Sequence, residues 1–528
     1  MAATDRLEEG GDGAAPHGSA HIIATAKGGG FLAAGTLFEY ATRFLIGLLL
    51  ARSLGLTGYG LYVLAISVST LFAGISLIGT DDAMVRYVAI LSSRRDPEGV
   101  GGTLQVGLGM ALAGGITMGI ALFFLAGPIA TGLFSAPDLA PVLRFMAVVV
   151  PFLALSNTLL GIARGFKRMD YTAFSQNGVQ SVVRLILVGV LAMGGWLTLM
   201  PAAIAFGISD VAASLALIVL VNREFDLRTV LRPGSRRDLR QIFGFAFPLW
   251  VSGLLRQFRV NIQNVLVGSL GSVAGVGVLS VANRVNDVAT LGSKSVYIAS
   301  RPLMAQLHDR GDRDALRGLY TATTRWTLAV NIPLFLGMVL YPGPLLQVFG
   351  EDYTRGATAL VLVACAQMIA AGTGTCQGML DMTGHTRVKL ANTVAWTVLL
   401  IGGGAFAIPR WGVVGAAAST LLAMGVVNIA SVLEVWFLER LQPYDRSFVK
   451  PLAAGALTAL GGIVLRAVFP VEGLIGALAQ SAVLTATYLG LLLTMGLEPQ
   501  DRLIVDRVMG KVRGVRGRVV HARAGGTA

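Results

Sequence analysis

Charged residues are scarce in this sequence. Asp, Glu, Lys and Arg make up 13% of its 528 residues, whereas a soluble domain carries about 25%. Apolar residues instead make up 54% of the chain, and they recur in runs of about 18 or more between residues 29 and 496. Each run is long enough to cross a hydrocarbon core of about 30 Å as a helix. The composition therefore predicts an all-α polytopic membrane protein.

Cysteine and histidine are also rare, with two and five residues. Cys365 and Cys376 are predicted to share one helix, too far apart for a disulfide. No metal-ligand spacing and no Walker-type glycine loop occurs, and no connection is long enough for a soluble catalytic domain. Asp81 and Asp82 resemble the acidic pair of membrane glycosyltransferases, but we interpret them as the end of a span. The sequence thus predicts no enzyme, no cofactor and no metal site.

The apolar runs predict fourteen membrane spans. They cover residues 29–51, 59–80, 104–126, 141–163, 173–195, 200–221, 243–268, 275–300, 323–341, 356–380, 389–408, 413–436, 451–469 and 476–496. Most of the 42 Lys and Arg residues then fall in one set of connections and in both termini, whereas the opposite connections carry Arg52, Arg355 and Arg410. The positive-inside rule predicts that both termini are cytoplasmic. The net charge of +13 is expected to face anionic lipid rather than nucleic acid.

Two segments form an internal repeat. They are "FEYATRFLIGLLLARSLGLTGYGLY" (38–62) and "LLRQFRVNIQNVLVGSLGSVAGVGVL" (254–279). Arg43 and Arg259 each lie ten residues before a Ser-Leu-Gly, and a Gly-x-Gly follows in both copies. The copies begin at the first and seventh spans, which predicts two six-helix lobes related as a parallel repeat. Several transporter folds with such repeats hold substrate between the halves.

This repeat predicts the domain organisation. We expect a disordered cytoplasmic N-terminus (1–28), an N-lobe of helices 1–6 (29–221), a basic inter-lobe loop (222–242), a C-lobe of helices 7–12 (243–436), a C-terminal helix pair (451–496) and a basic amphipathic cytoplasmic tail (497–528). The tail is expected to lie on the inner membrane surface.

Several segments resemble a known family. "LLARSLGLTGYGLYVLAISV" (49–68), "LIGTDDAMVRYVA" (77–89), "LLGIARGFKRMDYTAFSQ" (159–176) and "AIPRWGVVGAAASTLLA" (407–423) resemble the polysaccharide flippases. Their superfamily also contains multidrug extruders and lipid II flippases. The resemblance implies a two-lobed bundle that opens a central, arginine-lined cavity to each side alternately. It also implies export of lipid-linked oligosaccharides from the cytoplasmic leaflet.

The stretch "GLLRQFRVNIQNVLVG" (253–268) places many polar groups within one span. A charge at a helix centre costs about 2.5–3.5 kcal/mol and usually faces a wet interior. Guanidinium groups bind phosphate oxygens bidentately, so we expect the deep arginines to hold a diphosphate. These are Arg43, Arg256, Arg259 and Arg284. The amides expected to bind sugar hydroxyls are Gln257, Asn261, Asn264 and Asn283.

An alternative interpretation gives some of these charges a purely structural or an ion-coupling role. Three pairs are within reach of each other in the predicted helices: Glu39 with Arg43, Asp287 with Arg284, and Asp210 with Arg184. The same three carboxylates would couple proton or sodium flow in a drug extruder. Four further cations near span ends are expected to extend toward the membrane surface: Arg144, Lys294, Arg325 and Arg466.

The function predicted from the sequence is a flippase in the cell membrane. Its expected partners are a polyprenyl-diphosphate-linked oligosaccharide and membrane lipids, and it is expected to be a monomer that associates with polysaccharide assembly proteins. A cation-coupled drug or metabolite exporter and a lipid II flippase are alternatives with the same fold. A membrane glycosyltransferase and a non-transporting scaffold are alternatives of other classes.

Overall fold

The structure is a computed structural model that describes residues 17–226, 239–471 and 473–496. Side chains are described throughout these ranges except at 17–37, 239–249, 251–252, 255–256, 299 and 302. Helices form nearly all of this part of the chain. They are α1 (His17–Ser76), α2 (Thr80–Ser93), α3 (Pro97–Pro128), α4 (Leu139–Gly165), α5 (Met169–Thr172), α6 (Ser181–Met193), α7 (Leu199–Glu224), α8 (Leu239–Leu270), α9 (Val273–Asp309), α10 (Arg313–Leu340), α11 (Pro342–Gln347), α12 (Ala357–Thr373), α13 (Cys376–Met382), α14 (Thr386–Glu439), α15 (Val449–Val468) and α16 (Leu474–Thr494).

Two long helices are broken by glycines. Gly55 in α1 has φ of 66°, and Gly412 in α14 has φ of 54°. A positive φ is open to glycine at little steric cost, so each break lets one continuous segment turn. The breaks fall between the predicted spans 29–51 and 59–80, and between 389–408 and 413–436. α1 and α14 thus each contain two of the predicted spans.

Ten helices in the described part of the chain are long and apolar enough to cross a membrane. The polar helices α8 and α9 are not among the ten. Large apolar side chains such as Phe124, Met193 and Ile475 are exposed on the outside of the bundle. In water this would be costly, but lipid tails satisfy such a surface. The fold is therefore a polytopic helical membrane protein.

α1 joins the two parts of the bundle. Its helix contacts α3, α4, α6 and α7 of the N-terminal half (α1–α7), and also α8 and α9 of the C-terminal half (α8–α14). Leu50 and Leu64 of α1 share one buried apolar cluster with Val276 and Leu279 of α9. α15 and α16 pack mainly on α10 and on each other. The halves therefore meet along α1, α8 and α9.

Some segments differ from the sequence-based expectation. α2 begins at Thr80, so Asp81 and Asp82 start a helix rather than end one, and acidic side chains suit the positive end of a helix dipole. α1 begins at His17, so residues 17–28 of the expected disordered terminus are helical. Residues 227–238 of the inter-lobe loop and the tail from 497 lie outside the described residues. Cys365 and Cys376 lie in separate helices and are free thiols.

Candidate functional site

A polar cavity of about 440 Å³ lies in the C-terminal half. Side chains from α8, α9, α10, α12 and α14 line it. The polar and aromatic residues important here are Arg259, Lys294, Thr327, Gln367, Asn392, Trp396 and Asn428. No carboxylate lines the cavity among the residues that the structure describes. Such a site suits an anionic or neutral polar ligand better than a cation.

The rim and the floor of this cavity differ in charge. Arg259 and Lys294 are exposed, whereas Thr327, Asn392 and Asn428 are buried. The cations therefore lie at the accessible mouth of the cavity, and the neutral groups lie deeper. This order limits the desolvation cost, because burying an unpaired charge is far more costly than burying an amide.

Arg259 packs on an aromatic ring. Its guanidinium carbon lies 5.6 Å from the centroid of the Trp396 ring, within the range of a cation–π interaction. Trp396 belongs to α14, more than a hundred residues away along the chain. The contact holds the guanidinium at the rim.

Lys294 was expected from the sequence to extend toward the membrane surface, but it lines the cavity instead. Its ammonium group donates a hydrogen bond to the hydroxyl of Tyr40 in α1. Lys294 also lies two helical turns after Asp287, and therefore on the same face of α9. That spacing was the one sequence feature able to indicate an inward orientation. Lys294 places a cation at the contact between the two halves.

Two of the other expected diphosphate arginines form ion pairs. Arg43 Nε lies 3.3 Å from Glu39 Oε1, and Arg284 Nη1 lies 3.8 Å from Asp287 Oδ2. Arg43 and Lys294 also lie close enough to Asp287 to act on it electrostatically. The charges of α1 and α9 thus form one group beside the cavity.

One nitrogen of the Arg284 guanidinium group makes no hydrogen bond to the described residues. Its Nε is buried and has no hydrogen-bond partner among the described residues. A methyl group at Gly47 would lie 3.2 Å from this nitrogen, so α1 packs directly against it. The side chain of Arg256 lies outside the described residues, and Asn283 is half-buried in α9.

Three of the amides expected to bind sugar instead form hydrogen bonds within the protein. Two of them join α8 to α1, and the third bonds within α8. Gln257 donates to the Thr70 carbonyl at 3.1 Å, and Asn264 donates to Ser67 Oγ at 3.0 Å. Asn261 donates to the carbonyl of Gln257 at 3.1 Å. The amides that line the cavity come from α12 and α14 instead, as Gln367, Asn392 and Asn428. Sequence reasoning missed these, because single amides in apolar runs carry no spacing pattern.

A separate charged cluster lies within the N-terminal half. Asp210 is buried and accepts hydrogen bonds from Gln180 at 2.8 Å and from Arg184 at 3.3 Å. Arg184 also donates to Ser209 at 2.9 Å, and its guanidinium carbon lies 4.3 Å from the Phe206 ring centroid. Every charged member of this cluster has a partner, which is typical of structural pairing.

Known proteins resemble this chain over most of its length. A lipid III flippase of Escherichia coli (strain K12) is 24% identical over 315 residues, which are 56% of this chain and 71% of the relative. Stage V sporulation protein B of Bacillus subtilis (strain 168) is 23% identical over 502 residues, covering 88% of this chain and 94% of the relative. The solved structure of the lipid II flippase MurJ in an inward closed conformation matches with a TM-score of 0.71 at 15% identity, covering 87% of this chain and 98% of that one. That structural match shows a shared fold.

Two family patterns match the chain. The MatE family matches residues 248–406. The family described as polysaccharide biosynthesis protein matches residues 25–308, which are more than half of the 528 residues. This second match begins in α1 and ends in the last turn of α9, and it therefore includes the contacts of α1 with α8 and α9. The chain accordingly belongs to the polysaccharide biosynthesis protein family.

Proposed function

We propose that this chain is a flippase that moves a lipid-diphosphate-linked oligosaccharide from the cytoplasmic to the outer leaflet of the cell membrane. Family membership supports this function, as do the relatives that are named flippases of lipid III and lipid II. The observation that carries the proposal is the pair of exposed cations, Arg259 and Lys294, at the rim of a neutral polar cavity. A diphosphate needs cations, and a sugar needs neutral hydrogen-bonding groups. The cavity offers both.

The proposed transport unit has fourteen spans. Helices 1–6 (29–221) form the N-lobe, helices 7–12 (243–436) form the C-lobe, and helices 13–14 (451–496) form a pair beside them. Both termini are cytoplasmic, and the transport unit is a monomer. The breaks at Gly55 and Gly412 support the count, since each divides a helix too long for one crossing. The lobes rock about the contact of α1 with α8 and α9, so that the cavity faces each side in turn.

The proposed diphosphate site combines cations from both halves. Arg259 and Lys294 bind first, because they line the cavity. Arg43 and Arg284 exchange their carboxylate partners for phosphate oxygens when the ligand arrives, and Arg256 completes the cluster. Asn283 on α9 remains a proposed sugar contact.

The competing function is cation-coupled export of a drug or metabolite, which the match of residues 248–406 to the MatE family favours. Coupling needs a carboxylate that can take up and release an ion. The carboxylates of Glu39, Asp210 and Asp287 each have an arginine within 4 Å. A lining of cations and amides also suits an anionic cargo better than a cationic drug.

The decisive test is made in a strain that lacks this gene. Lipid-linked oligosaccharides are extracted, and their leaflet is determined in intact cells and inverted membrane vesicles with a sugar-specific label that cannot cross the membrane. We expect the pool to accumulate on the cytoplasmic side while surface glycan is lost, and the mass of the pool identifies the cargo. Expression of the wild-type protein in this strain should remove the accumulated pool and restore the surface glycan.

The competing functions predict different results. An unchanged lipid-linked pool, in a strain without a second flippase, would reject the flippase and favour the exporter. An exporter should then be sensitive to Asp210→Asn and Asp287→Asn and tolerate loss of the arginines. A scaffold should tolerate loss of all four arginines. A glycosyltransferase would instead act on a labelled sugar donor as a purified protein.

A further inference from the structure

We propose that the cavity in the C-terminal half is the saccharide subsite, in which the first sugars of the cargo stack on Trp396 and hydrogen-bond to Gln367, Asn392 and Asn428. This inference rests on the proposed flippase function and specifies where its cargo lies. It places the sugars on one side of the transporter, inside the C-terminal half, rather than midway between the halves.

The order of groups in the cavity matches the order of groups in the cargo. A lipid-linked oligosaccharide joins its diphosphate directly to its first sugar. The cavity joins a cationic rim, Arg259 and Lys294, directly to a buried floor of hydroxyls and amides. A diphosphate at the rim therefore delivers the first sugar to the floor without further movement. The rim faces α1 through the contact of Lys294 with Tyr40.

The floor is already fixed in position without a ligand. Asn392 donates to Ser431 at 3.2 Å and to Glu434. Asn428 donates to the Met424 carbonyl at 2.8 Å and accepts from Thr373 at 3.3 Å. Side chains held in this way lose little conformational entropy when a ligand binds. Such preorganised polar groups confer specificity in small-molecule sites.

Trp396 supplies an apolar face beside the polar floor. It lies four residues after Asn392 in α14, so both side chains lie on the same helix face. The face of an aromatic ring carries negative charge density, which attracts the slightly positive C–H groups on one face of a sugar ring. The ring edges of the same sugar carry hydroxyls, for which the amides of Gln367 and Asn428 are suitable partners.

The size of the cavity limits what it can hold. Its volume of about 440 Å³ lies within the range of about 300–1,000 Å³ that is usual for small-ligand sites. This is room for the first sugars and not for a whole oligosaccharide. The subsite therefore binds the sugars nearest the diphosphate, and the remainder of the glycan lies in the space between the halves.

The test compares two probes on the full-length protein in lipid nanodiscs. One probe is the lipid-linked oligosaccharide extracted from cells that lack this gene, and the other is polyprenyl diphosphate without sugar. Affinity is measured by native mass spectrometry, which identifies each bound species by its mass. We expect Gln367→Met to lower the affinity for the sugar-bearing probe about tenfold and to change the affinity for polyprenyl diphosphate by less than about twofold. Trp396→Ala should lower the affinity for the sugar-bearing probe by more than that for polyprenyl diphosphate, which it also lowers because Arg259 packs on this ring.

Two further variants separate binding from folding. Trp396→Phe keeps an aromatic face and should retain most of the affinity for the sugar-bearing probe. Trp436→Ala is the matched control, because Trp436 lies in the same helix outside the cavity and packs on Phe437. It should bind both probes like the wild type.

The possible results distinguish this inference from the proposed function. If Trp396→Ala and Gln367→Met lower the affinity for both probes equally, or for neither, the sugars lie elsewhere and the subsite is rejected. Binding of both probes by the wild type would in that case still support the flippase function. If the wild type binds neither probe, the flippase itself is rejected and the subsite with it.

Discussion

Gly60 and Gly277 hold equivalent places in the two copies of the repeat, and each lies against the backbone of the other copy. A methyl group at Gly60 would lie 2.0 Å from the carbonyl oxygen of Val273. A methyl group at Gly277 would lie 2.4 Å from the carbonyl oxygen of Leu56. Leu56 and Val273 also correspond in the repeat alignment. The contact is thus reciprocal, as expected at a two-fold axis, and it supports the parallel repeat.

This contact predicts that Gly60→Ala and Gly277→Ala are destabilising. Neither carbonyl oxygen can move without shifting a helix, and overpacking of this kind costs about 1–3 kcal/mol. Each variant should lower the thermal unfolding midpoint in detergent and reduce transport in the leaflet assay. Because both substitutions disrupt one contact, the double variant should lose less than the sum of the single losses.

Gly461→Ala is the matched control for this prediction. Gly461 lies in α15 with no neighbouring atom within 4 Å of an added methyl group, and alanine favours a helix by about 0.5–1 kcal/mol over glycine. The control should therefore be neutral or slightly stabilising. Equal behaviour of all three variants would mean that α1 and α9 do not meet closely at these glycines.

The second prediction concerns the buried pair of Arg184 and Asp210. Arg184→Ala leaves a buried carboxylate with one fewer partner, and breaking such a pair costs about 3–5 kcal/mol. The double variant Arg184→Met with Asp210→Leu removes both charges and should recover most of the stability. Thermal unfolding of the purified protein in detergent measures both effects.

An exposed pair provides the comparison for these variants. Arg355 and Asp352 are 3.4 Å apart, and both are mostly exposed, so Arg355→Ala should cost less than about 1 kcal/mol. Ion coupling at Asp210 predicts a different result for transport and stability. In that case Asp210→Asn would abolish transport at unchanged stability, and Arg184→Ala would be harmless.

The third prediction concerns the amides of α8 that were expected from the sequence to bind sugar. Asn264 donates to Ser67 of α1, so Asn264→Ala and Ser67→Ala should each lower the unfolding midpoint. A double-mutant cycle should give a coupling of about 0.6 kcal/mol, the average for hydrogen bonds between membrane helices. Neither variant should change affinity for polyprenyl diphosphate.

The exposed Thr117 of α3 bonds within its own helix, and Thr117→Ala serves as the neutral control. The opposite outcome is that Asn264 and Ser67 show no coupling and that Asn264→Ala lowers the affinity for the lipid-linked oligosaccharide. Asn264 would then be a sugar-binding residue.

The helical elements were predictable from the sequence because their causes are local. Apolar runs and glycine breaks indicate where helices cross and turn, and the spacing of Glu39 and Arg43 is sufficient to predict their ion pair. α2 was not predicted, because its segment is short and begins with polar residues and therefore resembles a connecting loop. The acidic pair at 81–82 marks a helix start as readily as an end, and only the structure distinguishes the two.

The composition of the cavity was not predictable in the same way. Arg259 and Trp396 meet only because α8 packs on α14, and no local pattern relates them. Lys294 looked like a span-end lysine until its bond to Tyr40 placed it beside the cavity. Conversely, a helix rich in amides need not line water, because Gln257 and Asn264 bind the neighbouring α1 instead. Long-range packing therefore determines which polar residues meet the ligand.

The fourth prediction is that Arg259→Glu abolishes transport without preventing membrane insertion. At an effective dielectric constant of about 20, two unit charges 4 Å apart interact by about 4 kcal/mol, so a reversed charge replaces attraction of the diphosphate with repulsion. The variant also loses the cation–π contact with Trp396, worth about 0.5–2 kcal/mol. Arg259→Lys keeps the charge but loses the planar fork, and its activity should be intermediate.

The control for this charge reversal is Arg310→Glu, an exposed position after the end of α9 that should insert and transport normally. Membrane protein level and the leaflet of the lipid-linked pool are measured for all three variants. If Arg259→Glu accumulates normally and leaves the pool on the cytoplasmic side, the rim cation acts on the cargo rather than on folding. If Arg259→Glu transports as well as Arg310→Glu, a diphosphate does not bind at this rim, and the cations of α1 and α9 serve only to balance Glu39 and Asp287.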